Sequence, residues 1–227
     1  MGGNCLGRLI TASETISENE LEDVVRGLRQ GNIVCMATDT VYGLSCLAEN
    51  EGAVGRLAGL KGSGRRPFLI LIGDLSWLDS LAAGIPRFAR RIMARHWPGP
   101  LTIVFEARPE VSAWLKGPRS TVAVRFPRSS LCGQILRAVN APIVSTSANL
   151  QGEDACLSGK EAFEVFQDRV EFVIDSGRAP MELPSTIVDV TLGRPAVLRQ
   201  GTLNIDCDEP SEQCDESSER RDETCEQ

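Results

Sequence analysis

The fold is decided by one stretch of the chain, Ile33-Val34-Cys35-Met36-Ala37-Thr38-Asp39-Thr40-Val41-Tyr42-Gly43-Leu44. Its β-branched and apolar first part, residues 33–37, predicts a buried strand. The stretch then changes to small hydroxyls, one carboxylate and a glycine. Since open α/β sheets bind ligands outside the ends of their strands, residues 38–42 are a candidate ligand-binding loop. The alternative is a strand-to-helix turn in which Asp39 and Thr40 cap backbone N–H groups.

The overall composition is that of a soluble globular protein. The chain has 227 residues, of which 42% are hydrophobic and 24% charged, and this length favours one large domain over two small ones. No apolar run approaches the roughly 18 residues of a membrane span, and no basic segment followed by an apolar core opens the chain. We therefore predict a cytoplasmic protein without membrane contact.

The net charge of −7 is unevenly distributed along the chain. Residues 205–227 contain ten acidic residues, two arginines and three cysteines, which gives them a charge of −8, whereas residues 1–204 carry +1. A segment so acidic and so poor in apolar residues is predicted to be disordered. We accordingly divide the chain into an N-terminal segment (1–16), a main domain (17–204) and a disordered, acidic, cysteine-containing tail (205–227).

The eight cysteines do not form a metal-binding pattern. There is no C-x-x-C, and His96 is the only histidine, which argues against a zinc site, so no metal ligand is assigned among the side chains. The absence of a secretory signal favours a reducing compartment. Five cysteines lie in or beside apolar runs, where a free thiol packs as a small hydrophobic group: Cys5, Cys35, Cys46, Cys132 and Cys156.

Helical and strand-like patterns alternate along the chain. A capping box at 17–20, followed by apolar residues at helical spacing, predicts a helix that Gly31 ends. Further helices are predicted over residues 54–60, 76–83, 86–97, 131–139 and 161–166. Strands are predicted over 33–37, 68–72, 101–106, 121–126, 142–144, 171–175, 186–190 and 196–198, the last two as an antiparallel pair. This order predicts one α/β domain with a mixed sheet.

Serine hydrolysis is the first chemistry that Ser145-Thr146-Ser147 suggests, but the sequence argues against it. No G-x-S-x-G elbow occurs, and His96 lies at a predicted helix end. The glycine-containing basic loop at 61–67 fits phosphate binding better, because its backbone N–H groups and its lysine and arginines can face an anion. It matches neither standard nucleotide-binding fingerprint, so a solvated surface turn is the alternative.

Polar side chains gather at the ends of the predicted strands. Segments rich in hydroxyls or arginine stand at residues 38–42, 121–125, 145–149, 175–177, 184–186 and 199–201. Arginines at such a rim can bind a carboxylate or phosphate through both guanidinium arms, and hydroxyls can bind the rest of a small polar substrate. Few candidate bases are present. The pattern therefore favours nucleotidyl or phosphoryl transfer, which depends on positioning and charge neutralisation.

Five motifs follow one another along the chain: Thr38-Asp39-Thr40-Val41-Tyr42-Gly43-Leu44, Trp97-Pro98-Gly99-Pro100-Leu101-Thr102, Val122-Ala123-Val124-Arg125-Phe126-Pro127, Pro142-Ile143-Val144-Ser145-Thr146-Ser147-Ala148-Asn149 and Pro184-Ser185-Thr186-Ile187-Val188-Asp189. Together they resemble the YrdC-type threonylcarbamoyl-AMP synthase family, in its single-domain form, over about residues 17–202.

This resemblance implies a fold and a reaction. The fold is a single YrdC-like α/β domain, with a twisted mixed parallel and antiparallel sheet surrounded by helices and a deep cationic cavity. Family members condense L-threonine, bicarbonate and ATP, with Mg²⁺ accompanying the ATP, into threonylcarbamoyl-AMP and pyrophosphate. A downstream threonylcarbamoyl-transfer complex passes the group to an adenosine of tRNA, so tRNA is a further candidate partner.

The resemblance also assigns roles to residues at the motif positions. Threonine binding is implied for Thr38, Arg125, Ser145 and Ser185. ATP binding is implied for Lys61, Thr121, Ser147 and Arg199, with Asn149 nearby, and Arg65 is added to this set as a hypothesis. The cavity wall is expected to include Asp39, Thr40 and Tyr42.

The chain departs from the family's pattern in its basic loop. The pattern Lys-x-Arg-Pro has an arginine where this chain has Ser63, and Arg65 or Arg66 is the hypothesised substitute. Ala37 also replaces the usual proline, which is a smaller change. A second hypothesis is therefore a catalytically impaired paralogue that binds nucleotide or RNA. The near-neutral charge of residues 1–204 weakens a role in RNA binding alone.

Overall fold

The structure, a computed structural model, describes residues 7–62 and 68–205. The strands in these ranges are β1 (Arg8–Thr11), β2 (Val34–Ala37), β3 (Tyr42–Leu47), β4 (Leu69–Leu71), β5 (Leu101–Glu106), β6 (Thr121–Arg125), β7 (Ile143–Ser147), β8 (Phe172–Asp175), β9 (Thr186–Asp189) and β10 (Ala196–Arg199). The α-helices are α1 (Glu18–Arg29), α2 (Glu51–Leu60), α3 (Arg87–His96), α4 (Ser130–Val139) and α5 (Gly159–Phe166). Two short 3-10 helices span Leu75–Ser80 and Pro118–Ser120.

These strands join one sheet in the order β1-β8-β2-β3-β7-β4-β6-β5-β9-β10. β1 and β2 both run parallel to β8, β4 runs parallel to β6, and β5 runs parallel to β9. The other neighbouring pairs are antiparallel. The predicted mixed α/β sheet is confirmed, and so is the closing antiparallel pair, which β9 and β10 form.

The two faces of the sheet carry separate apolar clusters, because successive side chains of a strand point to opposite faces. Tyr42 and Leu44 of β3 belong to the first cluster, to which α2, α3 and α5 contribute. Leu47 belongs to the second, to which α1 and α4 contribute. Within the described residues, the second cluster takes no strand residue from β5, β6, β9 or β10. The apolar core on that face therefore stops short of these four strands.

Helix α1 begins and ends as the sequence predicts. The hydroxyl of Ser17 accepts a hydrogen bond from the N–H of Glu20, and Gly31, just beyond the helix, has a φ of +87°. Such a left-handed residue costs glycine little and is a common end to a helix. The N-terminal cap and the apolar spacing together therefore sufficed to locate this helix.

Four elements differ from the prediction. β1 lies inside the predicted N-terminal segment 1–16 and pairs with β8, so part of that segment belongs to the sheet. β3 pairs directly with β2, so residues 38–41 connect a β-hairpin and not a strand to a helix. β7 extends to Ser147 and contains the serines that the sequence analysis places after it. The helix predicted over 76–83 is the 3-10 helix at Leu75–Ser80.

The cysteines of the described residues pack in the interior. All four are buried and form no disulfide, which confirms the predicted packing role: Cys35, Cys46, Cys132 and Cys156. Burial raises the pKa of Cys46 and Cys132 to about 12 and that of Cys156 to about 11, so these thiols stay protonated and unreactive at neutral pH.

Some predictions lie outside the described residues. They concern Cys5, Arg65, Arg66 and the acidic tail from residue 206 onward. No helix within the described ranges is long and apolar enough to cross a membrane.

Candidate active site

A cavity of about 870 Å³ lies on the face of the sheet that carries the second apolar cluster. It lies mainly over the strands to which that cluster does not extend. Strands β5, β6, β7, β9 and β10 contribute to its floor, and loops around residues 40, 154 and 183 to its sides. The lining brings together most of the residues that the sequence analysis singles out: Thr38, Thr40, Tyr42, Arg125, Ser145, Ser147, Asn149, Ser185 and Arg199.

The strand register explains why the two arginines meet in this cavity. Arg125 of β6 lies opposite Thr102 of β5. Thr102 lies opposite Ile187 of β9, and Ile187 lies opposite Arg199 of β10. Residues in register share a face of the sheet. The cavity therefore lies on a sheet face, and the predicted ligand-binding loop at 38–42 contributes to its side.

A bulge in β10 determines the direction of Arg199. Val197 lies opposite Val188, whereas Arg199, two residues later, lies opposite Ile187, one residue earlier in β9. In a regular strand, Leu198 would occupy the position opposite Ile187. β-Bulges re-aim side chains in this way and occur next to active sites. The extra residue thus turns Arg199 toward the cavity.

Arg125 is buried, with 2% of its surface exposed, and is held by three neighbours. Its Nη2 donates to Oδ1 of Asp39 at 2.5 Å, its Nη1 to Oγ1 of Thr40 at 3.0 Å, and its Nε to the carbonyl oxygen of Gly99 at 3.2 Å. Burial lowers the pKa of Arg125, and the charge of Asp39 opposes that shift. Arginine stays protonated in proteins, so the cavity contains a fixed positive charge.

Asp39 acts on the cavity through Arg125. The two side chains form an ion pair in which 3% of the arginine and 10% of the aspartate are exposed. In the described structure Asp39 lies outside the cavity lining, and its second carboxylate oxygen has no hydrogen-bond partner. A buried carboxylate beside a buried guanidinium limits the positions that the guanidinium can adopt.

The turn between β2 and β3 is stabilised by its own hydroxyl groups. Oγ1 of Thr38 donates to the carbonyl oxygen of Val41 at 3.2 Å and accepts from the N–H of Thr40 at 3.2 Å. The two threonine hydroxyls lie 3.0 Å apart. Such side-chain to backbone bonds are typical of threonine in tight turns. The turn places Thr40 against Arg125 and leaves Thr38 in the cavity lining.

Ser145 lies beside a glycine that leaves room for its hydroxyl. Its Oγ accepts a hydrogen bond from Oγ of Ser45 at 3.1 Å. A Cβ atom on Gly43 would lie 2.7 Å from Oγ of Ser145, closer than van der Waals contact allows. The glycine of the opening stretch is therefore required by the position of this hydroxyl and not by backbone strain.

Ser185 is connected to the second arginine of the cavity. Its Oγ lies 2.8 Å from Oγ1 of Thr102, and its carbonyl oxygen accepts from Nη2 of Arg199 at 2.9 Å. Burial lowers the pKa of Arg199, and the positive charge of Arg125 lowers it further. Two arginines sharing one cavity favour a bound anion. The sequence analysis missed Thr102, although it ends the second of the five motifs.

Lys61 is hydrogen-bonded to the end of β7 and the residues that follow it. Its Nζ donates to the carbonyl oxygen of Ser147 at 2.9 Å, and to the carbonyl oxygen and Oδ1 of Asn149 at 2.7 and 2.6 Å. Lys61 and Thr121 lie outside the cavity lining of the described structure. The hydroxyl of Thr121 donates to the carbonyl oxygen of Pro118 at 2.9 Å.

The side chain of Tyr42 belongs to the first apolar cluster, although the residue contributes to the lining. Its hydroxyl donates to the carbonyl oxygen of Gly177 at 2.7 Å and accepts from the N–H of Ser176 at 3.0 Å. Burial raises the pKa of Tyr42. The phenol therefore fastens the loop after β8 to the sheet.

Carboxylates also line the cavity, and the sequence analysis did not assign them. They are Glu153, Asp154 and Glu182. The first two follow the Ser145–Asn149 motif within five residues, which is the signal that could have identified them. In the described parts of the chain, no group of three or more His, Cys, Asp or Glu side chains could hold a metal ion. The predicted cationic character of the cavity stays a prediction.

Comparison with known proteins matches the chain to one family. The family model Sua5/YciO/YrdC, described as telomere recombination, matches residues 26–201. The threonylcarbamoyl-AMP synthase of Pyrococcus abyssi is 34% identical over 199 residues, which are 87% of this chain and 58% of that relative. The chain thus spans less than two thirds of that relative's length.

Solved structures share the fold described above. The crystal structure of Pyrococcus abyssi Sua5 complexed with L-threonine has a TM-score of 0.82 at 34% identity, over 86% of this chain and 57% of that one. Escherichia coli YciO has a TM-score of 0.81 at 24% identity, over 88% of this chain and 98% of that one. The second likeness concerns the fold alone.

Proposed function

The chain belongs to the Sua5/YciO/YrdC family, and on that basis we propose that it is a threonylcarbamoyl-AMP synthase. The reaction joins L-threonine, bicarbonate and ATP into threonylcarbamoyl-AMP and releases pyrophosphate. The observation that carries the proposal is a pair of arginines, the buried Arg125 and the more exposed Arg199, on one face of a cavity that hydroxyl groups surround. Such a cavity suits a substrate with a carboxylate together with a second, phosphate-bearing substrate.

The threonine end of the cavity is built around Arg125. Its guanidinium would hold the carboxylate of the amino acid through paired N–H groups. Thr38, Ser145 and Ser185 offer hydroxyls that can bind the ammonium group and the side-chain hydroxyl of threonine. The threonine complex of the Pyrococcus abyssi relative, at 34% identity, supports this assignment.

The ATP end is built around Arg199 and the end of β7. Arg199 would bind phosphate oxygens, and Ser147 and Asn149 would bind the remaining polar groups of the nucleotide. Lys61 would join them by exchanging hydrogen bonds that it now makes with Ser147 and Asn149. Thr121 and Arg65 complete the proposed set.

The proposed reaction has two bond-forming steps. The amine of threonine first attacks the carbon of bicarbonate, water leaves, and a carbamate forms. A carbamate oxygen then attacks the α-phosphorus of ATP, the bond to the β-phosphate bridging oxygen breaks, and pyrophosphate departs. Arg125 would hold threonine for the first step. Arg199 would stabilise the negative charge that develops on the phosphates in the second step.

Magnesium is expected to arrive with ATP. It usually binds substrate phosphates and one or two carboxylates in such sites, without a dedicated protein cage. The carboxylates of Glu153, Asp154 and Glu182 fit that requirement, because they line the same cavity. When bound, the ion would neutralise charge on the departing pyrophosphate.

The proposal is tested by pyrophosphate release from the purified chain. We expect release that requires both threonine and bicarbonate, and no release when either is omitted. Arg137→Ala should release pyrophosphate at the wild-type rate, because Arg137 is exposed on α4 and lies outside the cavity lining of the described structure. Wild-type protein that releases no pyrophosphate with all three substrates present would refute the proposal.

A second candidate function is nucleotide or RNA binding without turnover. The hydrogen bonds of Lys61 favour it. An ammonium group has three N–H donors, and Lys61 makes three hydrogen bonds to Ser147 and Asn149. A lysine held in this way would not stabilise the phosphates of ATP during the reaction. Ser63 also replaces the family's arginine. Arg65→Ala tests the substitute: it should weaken ATP use only if Arg65 replaces the missing arginine, and unchanged ATP use would remove Arg65 from the proposed set. ATP binding without any turnover would favour the second candidate.

The wider role follows from the chemistry of the product. A carbamoyl adenylate is a reactive mixed anhydride, so an enzyme that transfers its acyl group must act next. We propose the threonylcarbamoyl-transfer complex that modifies tRNA as this consumer, with a cytoplasmic location. Direct contact between tRNA and this chain is a separate prediction.

A further inference from the structure

Helix α3 presents a strongly basic surface, independent of the cavity. Its buried residues Phe88, Ala89 and Ile92 pack into the first apolar cluster. Its opposite side carries four exposed arginines, which we call the arginine face: Arg87, Arg90, Arg91 and Arg95. Side chains three or four positions apart are neighbours on a helix, so these four charges form one continuous surface.

The arginine face lacks acidic residues nearby in the sequence. Residues 80–105 contain no Asp or Glu, and helix α3 has no acidic residue in its first turn. Like charges spaced four residues apart destabilise a helix, and basic residues at its beginning oppose the helix dipole. Carboxylates that bind along this face offset both effects.

The chain supplies a segment of the required charge. Residues 206–227 contain ten Asp or Glu and two Arg, which gives a charge of −8. Guanidinium and carboxylate groups form strong, forked hydrogen bonds. This segment is therefore complementary in charge to the arginine face, whereas residues 1–204 as a whole are close to neutral.

The path of the chain leads toward the C-terminal end of α3. The carbonyl oxygen of Leu203 accepts from Oγ1 of Thr186 at 2.7 Å, and Thr186 is in register with Leu101. The carbonyl oxygen of Leu101 accepts from Nε1 of Trp97 at 2.7 Å, and Trp97 directly follows α3. Ile205, the last described residue, packs against the cluster that contains α3.

The segment is long enough to cover the helix from this starting point. A ten-residue α-helix is about 15 Å long, and twenty-two residues can extend over roughly 70 Å. Attachment through residue 205 also gives the segment an effective concentration on the order of millimolar at the helix. Weak ion pairs can therefore act together, although each contributes little alone.

We propose that residues 206–227 bind the arginine face of α3 through their carboxylates. The contact depends on charge and is weakened by salt, because the Debye length is about 10 Å at 0.1 M. It goes beyond the synthase reaction, since the arginine face lies outside the cavity lining of the described structure. Other polyanions would have to displace this segment to reach the helix.

The test compares two forms of the full chain: wild type and a variant in which the ten Asp and Glu of 206–227 are Asn and Gln. Arginine modification by the neutral reagent phenylglyoxal is followed residue by residue by mass spectrometry. At low salt, the arginine face should react several-fold more slowly in wild type than in the variant, and 0.5 M NaCl should remove the difference. Arg137 on α4 should react equally in both proteins.

Two results would overturn the proposal. The first is equal reactivity of the arginine face in both proteins at low salt. The second comes from adding poly-uridylate: protection at the same RNA concentration in both proteins would identify the face as an RNA site that 206–227 does not cover. The proposal instead predicts that the variant is protected at lower RNA concentration. Pyrophosphate release should be unchanged in the variant, so the outcome is independent of the synthase assay.

Discussion

Arg125 and Asp39 form a buried ion pair in which Nη2 of the arginine lies 2.5 Å from Oδ1 of the aspartate. Together with Thr40 and Gly99, Asp39 accounts for three of the five N–H groups of the guanidinium within the described structure. The other two N–H groups are available for a substrate carboxylate. Asp39 thus fixes the orientation of the arginine while leaving its capacity to bind an anion.

Arg125→Ala should impair threonine use far more than ATP use. Loss of the two guanidinium N–H groups that would bind the carboxylate should raise the KM for threonine by about tenfold or more. The KM for ATP should rise by less than about threefold. Removing one partner of a buried ion pair also costs about 3–5 kcal/mol of unfolding free energy, so folding is checked first by thermal unfolding. Arg125→Lys keeps the charge and should show the same selectivity. Equal effects on both substrates would contradict the assignment.

Asp39→Asn should lower the stability of the protein and increase the stabilisation that bound threonine provides. Without the carboxylate, Arg125 lacks its buried counter-charge, and bound threonine would supply one. Since ligands stabilise in proportion to their binding of the folded state, saturating threonine should raise the melting temperature more in the variant than in wild type. Asp189→Asn is the matched control, because Asp189 pairs with Arg119 outside the cavity lining of the described structure. Equal threonine-induced shifts in all three proteins would refute this role.

Gly43→Ala should displace the hydroxyl of Ser145, because the added Cβ would lie 2.7 Å from it. We expect a KM for threonine raised by about three- to tenfold, with a smaller effect on ATP. Gly59→Ala is the control, since a Cβ there meets no atom within 4 Å and alanine suits a helix interior. Unchanged threonine kinetics in Gly43→Ala would show that the position of Ser145 does not matter.

Tyr42→Phe should act on stability and not on substrate binding. The hydroxyl bonds to Gly177 and Ser176, and its loss should lower the unfolding free energy by about 1–3 kcal/mol. Urea unfolding measures this change, and steady-state kinetics should give a threonine KM close to that of wild type. A stable variant with a strongly raised KM would instead make Tyr42 a ligand-contacting residue, as its predicted place in the cavity wall implies.

Sequence patterns predicted the strands that contain runs of apolar residues and missed two others, β1 and β3. Residues 33–37 are all apolar and residues 101–106 contain the apolar run Ile103-Val104-Phe105, and both ranges were predicted as strands. β3 alternates Tyr42, Leu44 and Cys46 with smaller residues on the cavity side, such as Gly43 and Ser45. A strand whose second face borders a polar cavity therefore resembles a loop in sequence.

The candidate site was predictable in composition but not in arrangement. Arg125 and the motif hydroxyls could be identified from the sequence because they stand in recognisable motifs. The direction of Arg199 depends on a bulge, and the hydrogen bonds of Lys61 reach residues 86 and 88 positions away. The ion pair of Arg125 and Asp39 also joins residues 86 positions apart. Such relationships arise from sheet register, which local patterns do not specify.

The most direct measurement is incorporation of ¹³C-bicarbonate into an adenylate by the purified chain. With L-threonine, ATP and Mg²⁺ present, mass spectrometry should detect threonylcarbamoyl-AMP that carries the ¹³C label, and Arg125→Ala should form it several-fold more slowly at a threonine concentration near the wild-type KM. ATP that binds to the wild-type chain without forming any labelled adenylate would contradict the account.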